Sequence, residues 1–174
     1  MNNISLIYVG YGLTIINYIV YCYSRFQSNK KDILFLDLFA KICTVVALYC
    51  LGSLTGAYNM CLTFVICILC YLKQRYHWKL MLCYWIFQAL FVVVLMKTYI
   101  GISSILVFSC SSITLCANWW FSPQNMRLSA VFGSVIYLAY QISIANWAGL
   151  LEVFALMSNL FSFLRYRKIK KDTI

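Results

Sequence analysis

Charges and turn residues cut this chain into seven apolar runs, at residues 4–23, 33–51, 57–72, 80–96, 98–117, 128–144 and 146–164. A helix that crosses the hydrocarbon core of a bilayer needs about 20 apolar residues. The runs are of that order, and the connections between them are short. Backbone in lipid must satisfy its own hydrogen bonds, and apolar runs without strict alternation favour helices over barrel strands. The expected fold is therefore an all-α integral membrane protein with seven transmembrane helices in one membrane domain. Composition agrees, because only 10% of the 174 residues are charged, against about 25% in soluble chains.

The cations test the helix count. Arg25, Lys30 and Lys31 follow run 1, Lys73, Arg75 and Lys79 follow run 3, Arg127 follows run 5, and Arg165, Arg167, Lys168, Lys170 and Lys171 follow run 7. With seven helices all of these fall on one side and only Lys97 on the other, while Lys41 lies inside run 2. The positive-inside rule then places the C-terminus in the cytoplasm and the N-terminus outside. Run 1 lacks a basic region before it and a small-residue cleavage site after it, so helix 1 is expected to be retained. The localisation expected is a plasma (inner) membrane.

The formal charge of +10 is accounted for by topology and by anionic lipid headgroups, where juxtamembrane cations each gain about 1 kcal/mol. No nucleic-acid partner is expected. Trp78, Trp119 and Trp120 fall beside the basic loops and Trp147 at the opposite end, as rings at headgroup level do, whereas Trp85 lies within helix 4 as packing. The nine cysteines, among them Cys67 and Cys70 at CxxC spacing, sit in or at the ends of the spans and read as small packing residues. His77, the single histidine, lies in a basic loop. No metal, cofactor or catalytic group is expected, and the serines of "SSILVFSCSSITL" read as helix-packing residues rather than nucleophiles. The sequence leaves the oligomeric state open, a homo-oligomer included.

A weak internal repeat orders the helices. A shift of 92 residues lays "GSLTGAYNMCLTFVICILCYLK" from residue 52 over "SIANWAGLLEVFALMSNLFSFLR" from residue 143. A three-helix unit that starts outside ends inside, so a fourth helix must return the chain before the unit recurs in the same orientation. The expectation is a 3+1+3 arrangement of parallel repeats: residues 1–72, a linker helix at 80–96, a second unit at 98–165, and a basic tail at 166–174. Transporters built this way place substrate near the midplane between the repeats.

"SRFQSNKKDIL" after helix 1, "GSLTGAYN" between helices 2 and 3, and "YLAYQISIANWAGLLEVFALMSNLFSFLR" at the end resemble the YgjV-like family of bacterial inner-membrane proteins. The resemblance runs over nearly the whole chain. Its organisation is similar to that of the seven-helix SWEET, PQ-loop and PnuC-type transporters, and "SPQN" at 122–125 falls where PQ-loop proteins carry Pro-Gln. Pro123 is the single proline, so the intramembrane proline hinges of SWEET-type proteins are missing.

Ionisable residues inside a span are costly and usually mark a pathway. Glu152 lies in run 7, about three residues from its middle, and Asp37 and Lys41 share one face of helix 2 at i, i+4 spacing. Lys41 and Glu152 differ in depth by roughly 6 Å for upright helices. Asn159 returns to nearly the same face as Glu152, and Asn59 falls within one residue of its repeat equivalent. Asn17, Gln88 and Gln141 add polar groups from helices 1, 4 and 6. A shared interior cavity binding a small polar solute or a proton is the economical reading. If Asp37, Lys41 and Glu152 are all ionised their charges sum to −1, which suits a cationic or neutral hydrogen-bonding solute. The competing reading is a membrane scaffold or accessory subunit in which the same residues form a purely structural ionic cluster.

Overall fold

The computed structural model describes residues 3–76 and 81–172, with side chains over 5–76 and 81–167. His77, Trp78 and Lys79, and the side chains of Lys168, Lys170 and Lys171, lie outside the described residues. The elements are helical throughout the described residues: α1 (Asn3–Arg25), α2 (Lys30–Cys50), α3 (Leu54–Tyr76), α4 (Met81–Thr98), α5 (Ile102–Trp120), α6 (Pro123–Ser143), a 3₁₀ turn (Trp147–Leu151) and α7 (Glu152–Asp172).

Turn chemistry in the sequence sets several boundaries. Helix α2 ends on a Schellman-type closure, in which Ser53 N–H donates to the Leu48 carbonyl at 2.9 Å and Gly52 supplies φ of +75°. Helix α6 starts at Ser122, whose side chain accepts from Asn125 N–H, and Pro123 sits in the first turn where its missing donor costs nothing. "SPQN" is thus a helix start in this chain. Connections of a few residues make successive helices antiparallel neighbours.

Six of the helices are long and apolar enough to cross a membrane. The exception is α6, which the sequence reading counted with the rest. It is 21 residues long, but its buried face carries Arg127, Ser134 and Gln141, which lowers its mean hydropathy, while Leu128, Phe132, Val135 and Ile142 cover its outer face. Helix α4 is the opposite case: Phe91 is its one buried residue, and Leu82, Trp85, Val93 and Met96 all point outward. A helix apolar all round is suited to lipid on most sides.

Helices α1, α2 and α3 pack in sequence, as do α5, α6 and α7; α3 meets α5, α1 meets α7, and α4 lies against α3 and α5. Two apolar clusters close the bundle at its ends. One, toward the basic end, joins Ile33, Leu34, Ile66, Leu115, Trp119 and Met126; the other joins Leu48, Ala57, Met60, Val107, Tyr137 and Tyr140. Trp119 is therefore a core residue, 3% exposed, rather than a belt residue, whereas Trp120, Trp147 and Trp85 are exposed.

Cations at the basic end are tied into the fold. Lys30 donates to the Phe121 carbonyl at 2.7 Å and Lys73 to the Trp119 carbonyl at 3.2 Å, so two lysines cap the C-terminus of α5. Arg127, 2% exposed, donates to the carbonyls of Arg25 and Gln27 at the end of α1 and lies 4.0 Å over the Tyr166 ring of α7.

Candidate functional site

Between the two apolar clusters lies a cavity of about 70 Å³. That is several times the roughly 10–15 Å³ that one water requires. Helix α1 contributes Asn17, Tyr18, Tyr21 and Arg25, spaced along one face; α2 contributes Asp37, Lys41 and Thr44; α3 contributes Met60. From the second half come Cys110, Ile113, Thr114, Ala117 and Asn118 on α5, residues of α6 from Met126 to Tyr137, and Glu152. Helix α4 does not line it.

Glu152 is 5% exposed and sits where the 3₁₀ turn Trp147–Leu151 passes without a break into α7. The sequence reading ran helix 7 through 146–164; the structure starts it with a 3₁₀ turn and changes to α-helix at Glu152. Ser134 and Tyr18 hydrogen-bond the side chain, and Lys41 and Arg25 act on it through space. These partners offset only part of the desolvation that made the residue conspicuous.

The segment that delivers Glu152 is pinned by amides. Asn146 donates to Gln141 Oε1 at 2.9 Å, Gln141 donates to the Tyr18 hydroxyl at 3.5 Å, and that hydroxyl reaches the Gly149 carbonyl at 3.5 Å. Gly149 has no room for a side chain, since a Cβ there would sit 2.6 Å from Gln141 Cβ. Gln141 is thus behind the cavity wall, as a support for Glu152.

The ionic cluster differs from the expected one. Asp37 pairs with Arg25, not with Lys41, and its other oxygen accepts from Ser24 at 2.8 Å. The Arg25 guanidinium also stacks 4.2 Å above the Tyr21 ring. Both members of the pair are nearly excluded from solvent, at 4% and 5% side-chain exposure. Lys41, read as the partner of a buried carboxylate, forms no ion pair among the described residues; its ammonium has the Met60 thioether at 3.8 Å. Four charged groups, Arg25, Asp37, Lys41 and Glu152, line the cavity, so with all ionised the sum is 0 rather than −1.

The remaining expected site residues divide. Asn17, Asp37, Lys41 and Glu152 share the cavity. Asn159 is fully buried beside it, donating toward the Tyr21 hydroxyl at 3.3 Å and Ser134 Oγ at 3.4 Å. Asn59 is not brought to the cavity: it is fully buried and donates to the Thr55 carbonyl of its own helix at 2.9 Å, while its neighbour Met60 lines the wall. Gln88 is elsewhere, joining α4 to α5 through Ser112 at 3.2 Å. Reading the sequence missed Arg25, taken as a topological cation, and the hydroxyls of Tyr18 and Ser134.

The lining has a regular spacing. Tyr18 and Cys110, Tyr21 and Ile113, and Arg25 and Ala117 are each 92 residues apart and all line the cavity. The same is true of Asp37 and Ser129, Lys41 and Gly133, and Met60 and Glu152. Ser134, beside Gly133, touches Glu152 as Lys41 touches Met60.

The family model described as a bacterial inner membrane protein, Imp-YgjV, matches residues 8–170. The chain belongs to that family. No curated protein and no solved structure gives a significant match.

Proposed function

We propose that this inner-membrane protein is a transporter or facilitator for a small polar solute, and that the cavity around Lys41 and Glu152 is its solute chamber. The observation that carries the reading is the 92-residue spacing of six pairs of wall residues. Such spacing is the signature of two equivalent half-sites facing one axis. It supports a 3+1+3 architecture of parallel repeats, α1–α3 and α5–α7, with α4 as the linker. Helix adjacency supports it too, because the contact of α3 with α5 is the counterpart of the contact of α7 with α1. A polar chamber between parallel repeats is where transporters of this kind, SWEET-type proteins among them, hold substrate.

In this reading the two apolar clusters are the gates, and the chamber opens to one side when one of them parts. The basic end faces the cytoplasm, where its cations also meet anionic headgroups, and the N-terminus is outside. Solute entry is tested by purifying the protein and screening a metabolite panel for thermal stabilisation, because a ligand that binds only the folded state must raise its stability. A stabilising solute should also exchange across proteoliposomes, and Glu152→Gln should reduce both effects while leaving membrane insertion intact.

A second reading, a scaffold or accessory subunit, is favoured by one observation: Asp37 has both of its oxygens engaged within the protein, by Arg25 and Ser24. It requires that no solute stabilise the protein and that Lys41→Met with Glu152→Gln leave every function of the chain intact.

A further inference from the structure

Of the four charged groups in the chamber, two are closed on each other. Asp37 accepts from Arg25 and from Ser24, and the pair is neutral and nearly sealed. Lys41 and Glu152 are not closed in this way. The ammonium of Lys41 has a thioether as its contact, a weak acceptor that carries no charge. The carboxylate of Glu152 has the Ser134 and Tyr18 hydroxyls beside it, which carry no charge. One positive and one negative group therefore face the same cavity without an ion-pair partner among the described residues.

Their placement is across the chamber. Lys41 is on α2 beside Met60 of α3, and Glu152 is at the start of α7 beside Ser134 of α6. Helix α1 packs against both α2 and α7 and stands between them. The wall carrying Lys41 and Met60 and the wall carrying Gly133 and Glu152 are the 92-residue counterparts of each other. Opposite charges thus occupy opposite half-sites of the cavity. Gly133, the counterpart of Lys41, leaves room beside it, since a Cβ there would meet nothing nearer than Cys110 Sγ at 4.0 Å.

We propose that the chamber takes a small zwitterion, an amino-acid-like molecule of a few heavy atoms, with its cationic end at Glu152 and its anionic end at Lys41. This rests on the solute-chamber reading and names the solute class. A buried charge left without a counter-charge is penalised. A zwitterion supplies both counter-charges at once, a singly charged solute leaves one wall uncompensated, and a neutral solute leaves both. The size is limited by the cavity, whose 70 Å³ is about half of an engineered cavity of roughly 150 Å³ that admits benzene.

The test uses the full chain in lipid nanodiscs and follows thermal unfolding with low millimolar probes. Glycine, alanine and β-alanine are the zwitterions; glycinamide, acetate and acetamide are the singly charged and neutral controls. At least one zwitterion is expected to raise the melting temperature and the three controls to have little effect. Lys41→Met and Glu152→Gln should each weaken the response about tenfold or more, the loss expected for one charge-assisted contact. Glu152→Gln is nearly isosteric, so it reports even if Lys41→Met fails to fold. The double variant Lys41→Glu, Glu152→Lys should regain a zwitterion response, because the ligand can bind reversed. Equal stabilisation by acetamide or by a singly charged control, lost in Glu152→Gln, would overturn the zwitterion class and leave the chamber standing. No response to any zwitterion overturns the class as well, and silence across the wider metabolite panel removes the chamber with it.

Discussion

Arg25 and Asp37 form a buried ion pair across the α1–α2 hairpin, twelve residues apart in the chain and at the basic end of the cavity. A cation from the last turn of α1 is drawn into the protein instead of remaining at the surface. Ser24 Oγ donates to the second carboxylate oxygen, and the Lys41 ammonium has the Met60 thioether as its contact instead.

Removing one partner should be far worse than removing both. Asp37→Leu leaves the guanidinium buried alone and is expected to cost about 3–5 kcal/mol, whereas Arg25→Met combined with Asp37→Leu should restore most of that loss. Thermal or denaturant unfolding of the purified variants measures the difference. Equal losses for the single and the double variant would mean the pair is not coupled.

Arg127 should resist its conservative replacement. Its guanidinium serves two carbonyls at the end of α1 and stacks on Tyr166, and a lysine has neither the planar fork nor the stacking face. Arg127→Lys is expected to lose nearly as much stability as Arg127→Ala, about 2–3 kcal/mol. A fully stable Arg127→Lys protein would contradict the clamp.

Gly149→Ala tests how Glu152 is presented. The added methyl would meet the Gln141 side chain, with backbone and side-chain shifts worth about 1–3 kcal/mol. Because Gly149 also accepts from Tyr18, the ligand response should weaken together with stability. Gly12, where a Cβ meets nothing within 4 Å, is the matched control, and Gly12→Ala should be close to neutral in both assays.

Topology is checked by thiol labelling of exposed turn residues in sealed cells. Ser143→Cys should react with an impermeant reagent added outside, and Ser28→Cys, at the basic end, should react only after the membrane is opened. The reverse pattern would invert the orientation taken from the charges.

The helices are legible in the sequence because six of them carry an apolar run of spanning length and the seventh, α6, lies between short links that leave few ways to arrange neighbours. The change from 3₁₀ to α-helix at Glu152 is not legible, because a 3₁₀ turn and an α-helix of the same apolar residues have the same composition. Arg25 and Arg127 were hidden for another reason: a cation at the end of a span satisfies the charge-asymmetry rule whether it points to headgroups or inward. Asn59 shows how little error is tolerated. The 92-residue shift leads to Met60, and one residue along a helix is about 100° around it, enough to turn the amide away from the chamber. Tyr18 and Tyr21 were not singled out, since nothing in sequence separates a ring used for packing from a hydroxyl used for hydrogen bonding.

The wall positions recur at 92 residues, but none of the charges does: Arg25 recurs as Ala117, Asp37 as Ser129, Lys41 as Gly133, and Glu152 has Met60 as its antecedent. Two separate, identical three-helix chains could never make such a chamber. Twofold symmetry would copy every lysine opposite a lysine and every glutamate opposite a glutamate, and a polarity directed across the axis would cancel. In the architecture we propose, joining the halves through α4 lifts that restriction, so each half can specialise for one end of an unsymmetrical guest.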